Sequence, residues 1–523
     1  MATIGRTRFD LTGTFAAILV ALLVFVPPSP HGVHAASEGQ LTWAVHISIA
    51  STWFDPGEHP GIITPMMTFY ALHDALVKPM PGKAMAPSLA ESWTASKDGL
   101  TYEFVLRKNV KFHNGDPMTA EDVKFSFERY RGAAAKLLKE RVAAVEIVDP
   151  HRIRFRLKAP WPDFMAFFGT PATGAAWVLP KAYIEKVGDE GFKKAPVGAG
   201  PYKLVSHTPG VELVFEAHES FWRKTPAVKR FVWRIVPDEA TRLAMLKRGE
   251  VDIAYSVRGP LAEEVKRTPG LRLAPALTSA TYWVDFLTGP WEPNSPWRDQ
   301  RLRQAVSLAI DRKAINQAET LGYSKVSASV IPAGYDFYWA APPIPFDPAR
   351  ARKLLAEAGY PNGFDAGDFT MDISYANVGE AVANYLNAVG IHTRLRTLER
   401  AAWLSQWREK KIRGGILQGA AGGFGNAATR IENYVIGSGP FSSGALPEID
   451  DLFHQQAREP DRKRRESLLH QIQKIMYDRA LFAPIWELAF LNGVGPRVEE
   501  AGIGLIEYQP YTCPYEDLRL KKS

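Results

Sequence analysis

The sequence predicts a mixed α/β fold, and three patterns carry that expectation. Residues 151–158 alternate strictly, with Ile153, Phe155 and Leu157 set between Arg152, Arg154, Arg156 and Lys158. Period-two alternation marks a half-buried strand. Residues 119–130 (TAEDVKFSFERY) open on Thr119, carry Asp122 three residues later, and place Val123, Phe127 and Tyr130 on one face. That is the pattern of a capped amphipathic helix. Residues 369–375, 378–389 and 391–398 read as strand, helix, strand, a βαβ unit with a parallel pair. Alternation of this kind along the chain implies α/β lobes, not a sandwich or a bundle.

The remaining elements follow the same logic. Residues 101–107 put Tyr102, Phe104 and Leu106 on one face of a strand, after a turn at Asp98-Gly99; Asn114-Gly115 makes another turn. Asp238 caps a helix that Gly249 ends, and Val251, Ile253 and Tyr255 begin the next strand. Asp347-Pro348 starts a helix lined by Leu354, Leu355 and Ala358 and stopped by Gly359 and Pro361. Gly198 and Gly200 are expected to allow a backbone turn that Pro201 stiffens. The Pro-rich stretches 290–296 and 342–348 read as ordered surface loops, and no internal repeat stands out.

The first 35 residues read as a secretory signal peptide. Arg6 and Arg8 form a positive start, residues 15–26 (FAAILVALLVFV) an apolar run, and Val33-His34-Ala35 a small-residue cleavage site. The run is shorter than the roughly 20 residues a bilayer span needs. Ala36 is the expected mature start. Cys513 is the single cysteine, so no intramolecular disulfide forms. With no cysteine near the cleavage site, a soluble periplasmic protein is expected over a lipid-anchored one.

Hydrophobic residues at 46% and charged residues at 23% match folded domains, and 523 residues give room for several domain-sized units. The net charge of +7 does not imply a nucleic-acid partner, because the basic residues are scattered among acids. The densest run, residues 461–466 (DRKRRE), is flanked by carboxylates and reads as a solvated helix face.

Catalytic signatures are missing. The chain has no GxSxG elbow, no HExxH, no SxxK-type nucleophile motif and no His/Cys cluster with zinc spacing. Residues 423–428 (GFGNAA) fit GxGxxA, yet no acidic residue closes a following strand, so a dinucleotide site is not expected. Neither a cofactor, a metal nor an enzymatic activity is expected.

A series of ordered segments carries a resemblance. Residues 87–93 (PSLAESW), 98–104 (DGLTYEF), 110–115 (VKFHNG), 119–123 (TAEDV) and 196–202 (PVGAGPY) come first. Residues 238–253, 299–312 (DQRLRQAVSLAIDR) and 351–363 continue the series. Together they resemble the family 5 extracellular solute-binding proteins, the dipeptide, oligopeptide and nickel binders of ABC importers. Turn and cap chemistry accounts for most of these residues, so they read as scaffold.

The resemblance implies a two-lobed periplasmic binding protein fold with two hinge crossover strands. Lobe one is expected at residues 36–275, with an inserted subdomain at about 56–194; lobe two at 276–482; and a return to lobe one at 483–523. The crossovers are expected near residues 274–285 and 481–487. A cleft between two hinged lobes is where such proteins place ligands. The implied function is capture of a small solute and delivery to an ABC permease and ATPase, by a monomer. An exported hydrolase, or a periplasmic chaperone or signalling receptor on the same fold, is the alternative.

Expected ligand contacts are Trp53, Phe54, Trp283 and Trp486 as aromatic walls, with Gly422, Gly423, Phe424 and Arg430 from the second lobe. Peptide binders of this family carry a Trp-x-x-Asp-like stretch where residues 419–425 here read GAAGGFG, with Gly422 near the expected acid. A Gly-rich loop offers N–H groups to an oxygen-rich ligand, and Arg430 can pair with a carboxylate. The expected ligand is therefore a neutral or acidic small solute and not a simple di- or tripeptide.

Overall fold

The alternating residues of the inserted segment form the strand Arg152–Leu157, which buries Ile153, Phe155 and Leu157 and turns its arginines outward. In this computed structural model the described residues are 39–522, without 48, 60–63, 170–172, 423 and 424. The expected signal peptide and cleavage site lie outside them. Arg152–Leu157 joins Ala90–Ala95, Thr101–Leu106 and Val142–Asp149 in a four-stranded antiparallel sheet. Arg154 reaches Glu103 at 2.7 Å and Arg156 reaches Glu146 at 2.8 Å on its solvated face. The helix Ala120–Arg129 packs Val123 and Phe127 onto the other face. Its first turn is closed as the sequence implies: the Asp122 carboxylate accepts from the Thr119 N–H at 2.9 Å.

A second, 11-stranded sheet runs through the rest of the chain. At one end, Gln40–Val45 lies parallel to Arg230–Ile235 and to Ile253–Ala254. At the other, Phe364–Asp372 lies parallel to Ile391–Leu398 and to Gly415–Ala421. The expected βαβ unit is this pair, with Ala376–Ala388 as its crossover helix. Two long antiparallel strands, Arg272–Phe286 and Phe482–Val494, join the halves. Val494 pairs with Ile253 on the first side, and residues 281–286 pair with Gly415–Ala421 on the second. The expected exit and return segments fall on these two strands. Their ladder shifts register between Leu277 and Thr281, midway along the pair. The irregularity interrupts the ladder there, as a β-bulge would.

The described residues form one compact unit. The largest core cluster spans the inserted segment, the first-half sheet and part of the second half, including Phe104, Phe155, Trp233, Tyr282 and Trp486. A second, around Trp283, Trp403, Trp407 and Ile431, lies on the other face of the second-half sheet. The reason for Gly198 and Gly200 differs from the expected one. Neither has a positive φ; a Cβ at either position would strike the backbone of Leu72. They are close-approach glycines that let two segments touch.

Among the described residues no helix is long and apolar enough to cross a membrane. Cys513 is free and buried.

Candidate functional site

In both halves of the sheet the parallel strands end on the same cavity. Ligands of open α/β sheets sit outside the carboxyl ends of the strands, and here two sets of such ends meet. From the first half come His46 and Ile47, just after Gln40–Val45, with Ser256 and Arg258 just after Ile253–Ala254. From the second half come Tyr375, after Phe364–Asp372, and Arg400, after Ile391–Leu398. Tyr282, Trp486 and Phe490 of the joining strands also line it, and the cavity holds about 420 Å³.

Local chemistry explains how each side chain is held. Arg242, on the helix Glu239–Arg248, donates to the carbonyls of Val236, Pro237, Tyr255 and Ser256 at 2.7–2.9 Å. Those carbonyls belong to the turns that follow two strands, so one buried guanidinium fixes both. Burial pushes its pKa down to about 10. Ser256 takes a left-handed φ of 56°, and its N–H donates to Asn492 Oδ1 at 3.0 Å. Such backbone strain persists only where surrounding contacts over-determine it. Arg258 follows, with its side chain 38% exposed toward the cavity.

On the second side, Asp372 caps the turn that carries Tyr375 by accepting from the Ser374 N–H at 2.9 Å. Its other oxygen lies 3.0 Å from Arg400 Nη1. Asp372 is fully buried while the Arg400 side chain is 48% exposed, so the ion pair anchors a guanidinium that still faces open space. Glu319, near the end of the helix Arg312–Thr320, accepts from Asn377 Nδ2. Burial raises its carboxyl above the usual range, and Arg258 pulls the other way.

Aromatic rings make the apolar wall. His46 stacks on Tyr255 with centroids 5.4 Å apart and planes 6° from parallel. Tyr255 meets Phe490 at 5.5 Å, and Phe490 meets Tyr511 at 5.4 Å. Tyr282 and Tyr375 pack edge to face at 4.8 Å. Burial, with Arg242, Arg258 and Arg400 adding to it, lowers the His46 pKa to about 3, so this imidazole is neutral near pH 7.

The expected site residues divide. Trp53 and Trp486 line the cavity. The Trp53 carbonyl accepts from the Thr68 hydroxyl at 2.5 Å, and Asp55 beside it pairs with Arg129 at 2.5 Å. Phe54 is buried in the core instead, edge-on to His207 at 5.1 Å. Trp283 alternates with Tyr282 and so packs on the other face, against Trp407, Tyr434 and Phe482. Arg430 is buried between the rings of Tyr335 and Tyr434, with Nη2 3.3 Å from the Ser279 carbonyl. Gly422 follows the end of Gly415–Ala421 without reaching the cavity lining. Gly423 and Phe424 lie outside the described residues.

Sequence reasoning missed His46, Arg258, Glu319, Tyr375, Arg400 and Tyr511. A signal for Arg400 was present, since it stands two residues beyond a strand already assigned to a parallel pair. Among the described residues no group of three or more His, Cys, Asp or Glu is arranged to hold a metal ion.

Residues 84–442 match the family described as bacterial extracellular solute-binding proteins, family 5 middle. The chain belongs to that family. As a family 5 protein it is the solute-binding component of an ABC import system. It is 28% identical over 446 residues to heme-binding protein A of Haemophilus influenzae, a match covering 79% of this chain and 81% of that relative. It is 33% identical over 282 residues to the glutathione-binding protein GsiB of Salmonella choleraesuis, over 53% of each chain. That second match therefore spans about half of the relative's length. In fold, the family 5 protein is similar to the periplasmic binding protein DppA from Helicobacter pylori, solved in complex with the peptide STSA. There the TM-score is 0.76 at 22% identity, over 92% of this chain and 98% of that one. The two-lobed architecture with an inserted subdomain and two crossover strands is thus the fold of this chain.

Proposed function

We propose that this family 5 protein holds its solute in the cavity between the carboxyl ends of the two strand sets, and that the lobes close over it there. One observation carries this reading. A single 420 Å³ space is lined by residues of both halves of the sheet and by both joining strands. Residues 36–275 and 483–523 then form the first lobe, residues 56–194 its insert, and residues 276–482 the second. The break in the ladder between Leu277 and Thr281 is the point about which they move.

The protein works as a non-enzymatic periplasmic monomer that hands its cargo to an inner-membrane permease. The relatives named for heme and glutathione, and the fold relative solved with a peptide, support a small organic solute. Export by a signal peptide removed near Ala35 completes the proposal. Its check is the intact mass of periplasmic protein, expected to begin at or near Ala36.

A solute that prefers the closed form shifts the population toward it and stabilises the fold by ~2.7 kcal/mol at one hundred times its dissociation constant. Small-angle scattering should show a smaller radius of gyration at saturation, with a raised thermal midpoint. Trp486→Ala should abolish both effects in a protein that still folds. Saturable binding without compaction, unaffected by Trp486→Ala, would move the site elsewhere.

A further inference from the structure

We infer that the solute is a small zwitterion bearing two carboxylates and one ammonium group, held by Arg258 from the first lobe, Arg400 from the second, and Glu319. This inference rests on the cavity proposed above as the ligand site.

The argument is one of charge matching in a space that closure dries. Arg258 and Arg400 line the cavity from opposite sides, and each keeps more than a third of its side chain exposed. Both lie close enough to His46 and Tyr511 to bear on their protonation, which places the two guanidiniums around one volume. Guanidinium stays charged in proteins and meets a carboxylate bidentately. Two such groups brought together without anions repel one another and resist the loss of water. An occupant with two carboxylates removes that penalty.

The local acids do not already satisfy the pair. Asp372 is buried beneath Arg400, touches only its Nη1 edge at 3.0 Å, and spends its other oxygen on the Ser374 N–H. Glu239 sits 3.9 Å from Arg258 Nε and accepts from the Arg258 backbone N–H. Arg242 is taken up by four carbonyls and is not on the lining. His46 adds no positive charge at neutral pH.

Glu319 is the one carboxylate on the described lining. It accepts from Asn377 and faces the cavity from the second lobe. Arg258 attracts it, and closure over a dianion with no cation would draw that guanidinium to the ligand and leave this acid buried with Asn377 alone. An ammonium on the same solute answers it, and does so from a different element than the Gly-rich loop, where residues 419–422 carry no acid. The aromatic wall of Trp53, Tyr282, Trp486 and Phe490 receives the apolar body between the charges.

Calorimetry on the mature protein tests the assignment with glutathione as probe, since it carries two carboxylates and one ammonium. Its diester, its N-acetyl derivative, Ala-Ala, glutarate and hemin complete the panel. Glutathione is expected to bind, with esterification and acetylation each weakening it by about tenfold or more. Arg258→Gln and Arg400→Gln should each cost about tenfold or more as well, and Glu319→Gln should erase the preference for the free amine over the acetylated form. Thermal melts of the unliganded variants check folding, and Arg258→Gln, whose guanidinium has no buried carboxylate partner, guards against a structural loss in Arg400→Gln. The inference is overturned if glutathione fails to bind at about 1 mM. It is also overturned if Ala-Ala, glutarate or hemin binds as well as or better than glutathione, or if the Arg variants leave glutathione binding unchanged. Failure of the cavity itself looks different: a probe then binds with neither Trp486→Ala nor any of the three charge variants affecting it.

Discussion

Asp163 and Arg465 stand 302 residues apart in the chain, and their side chains meet at 2.5 Å. Asp163 precedes the short helix Phe164–Phe168 of the inserted segment; Arg465 lies on Arg462–Asp478 of the second half. The other Asp163 oxygen accepts from Asn426 Nδ2 at 2.6 Å. Asn426 in turn caps the helix Ala427–Tyr434 by accepting from the Thr429 N–H at 3.0 Å. Three buried polar groups therefore tie the segment ahead of Phe164–Phe168 to the second half of the chain.

Asp163→Asn leaves the Arg465 charge buried without a carboxylate, which costs about 3–5 kcal/mol if the two surfaces stay docked. The expected outcome is a lower urea midpoint together with a larger radius of gyration for the ligand-free protein, as the population moves toward an open form. A variant with wild-type stability and compactness would show that the contact does not hold the lobes.

Gly419 lies against the indole of Trp283, and a Cβ there would strike the ring at Cε2 and Nε1. Overpacking of this kind costs about 1–3 kcal/mol. Gly419→Ala is expected to destabilise within that range, and adding Trp283→Phe should recover part of the loss. The double-mutant cycle measures that coupling. Strict additivity would mean that the strand shifts and the ring does not.

His73 is fully buried, and its Nε2–H donates to the Phe54 carbonyl at 2.9 Å. Burial lowers its pKa to about 4, against the pull of that hydrogen bond and of Asp55. The unfolded chain, with a histidine pKa of ~6.5, takes up the proton first as pH falls. The His73 term is thus absent above pH 6.5 and subtracts up to about 1.4 kcal/mol per pH unit down to pH 4. His73→Gln should flatten the fall in thermal midpoint measured between pH 7 and pH 5. An unchanged slope would assign the effect to other groups.

Binding should follow a different pH profile from that of a cleft with a titrating histidine. His46, with a pKa of about 3, stays neutral from pH 5 to 8. Glu319 is raised above the ordinary carboxyl range by burial, against the pull of Arg258, so it takes up its proton at a higher pH than an ordinary carboxyl does. Affinity for a free-amine ligand should therefore decline as pH falls, starting at a higher pH than an ordinary carboxylate would give, and the decline should be missing in Glu319→Gln. A midpoint that survives in Glu319→Gln but vanishes in His46→Asn would assign it to the imidazole.

Local chemistry was legible from the residues alone. The Asp122 capping contact, the alternation of Ile153, Phe155 and Leu157, and the parallel pair around 376–388 each depend on neighbours within a turn or one strand period, so spacing suffices to read them. Ordered motifs across the chain carried the family, and with it the two-lobed fold and solute binding. Two of the expected contacts, Trp53 and Trp486, line the cavity, Trp53 from the segment that follows Gln40–Val45 and Trp486 from within the joining strand Phe482–Val494.

Tertiary structure alone decided the rest. Trp283 and Trp486 both sit on the joining strands and both are buried, yet they pack in core clusters on opposite faces of the sheet, and of the two Trp486 borders the cavity. Arg430 reads as a free cation until Tyr335 and Tyr434 enclose it. Arg258, Glu319 and Arg400 are more than sixty residues apart, and no periodicity links them. Only the meeting of two sets of parallel strand ends, across strands paired over some two hundred residues of sequence, brings their charges around one space. Long-range pairing of that kind depends on the whole sheet closing on its register, which no local window of residues contains.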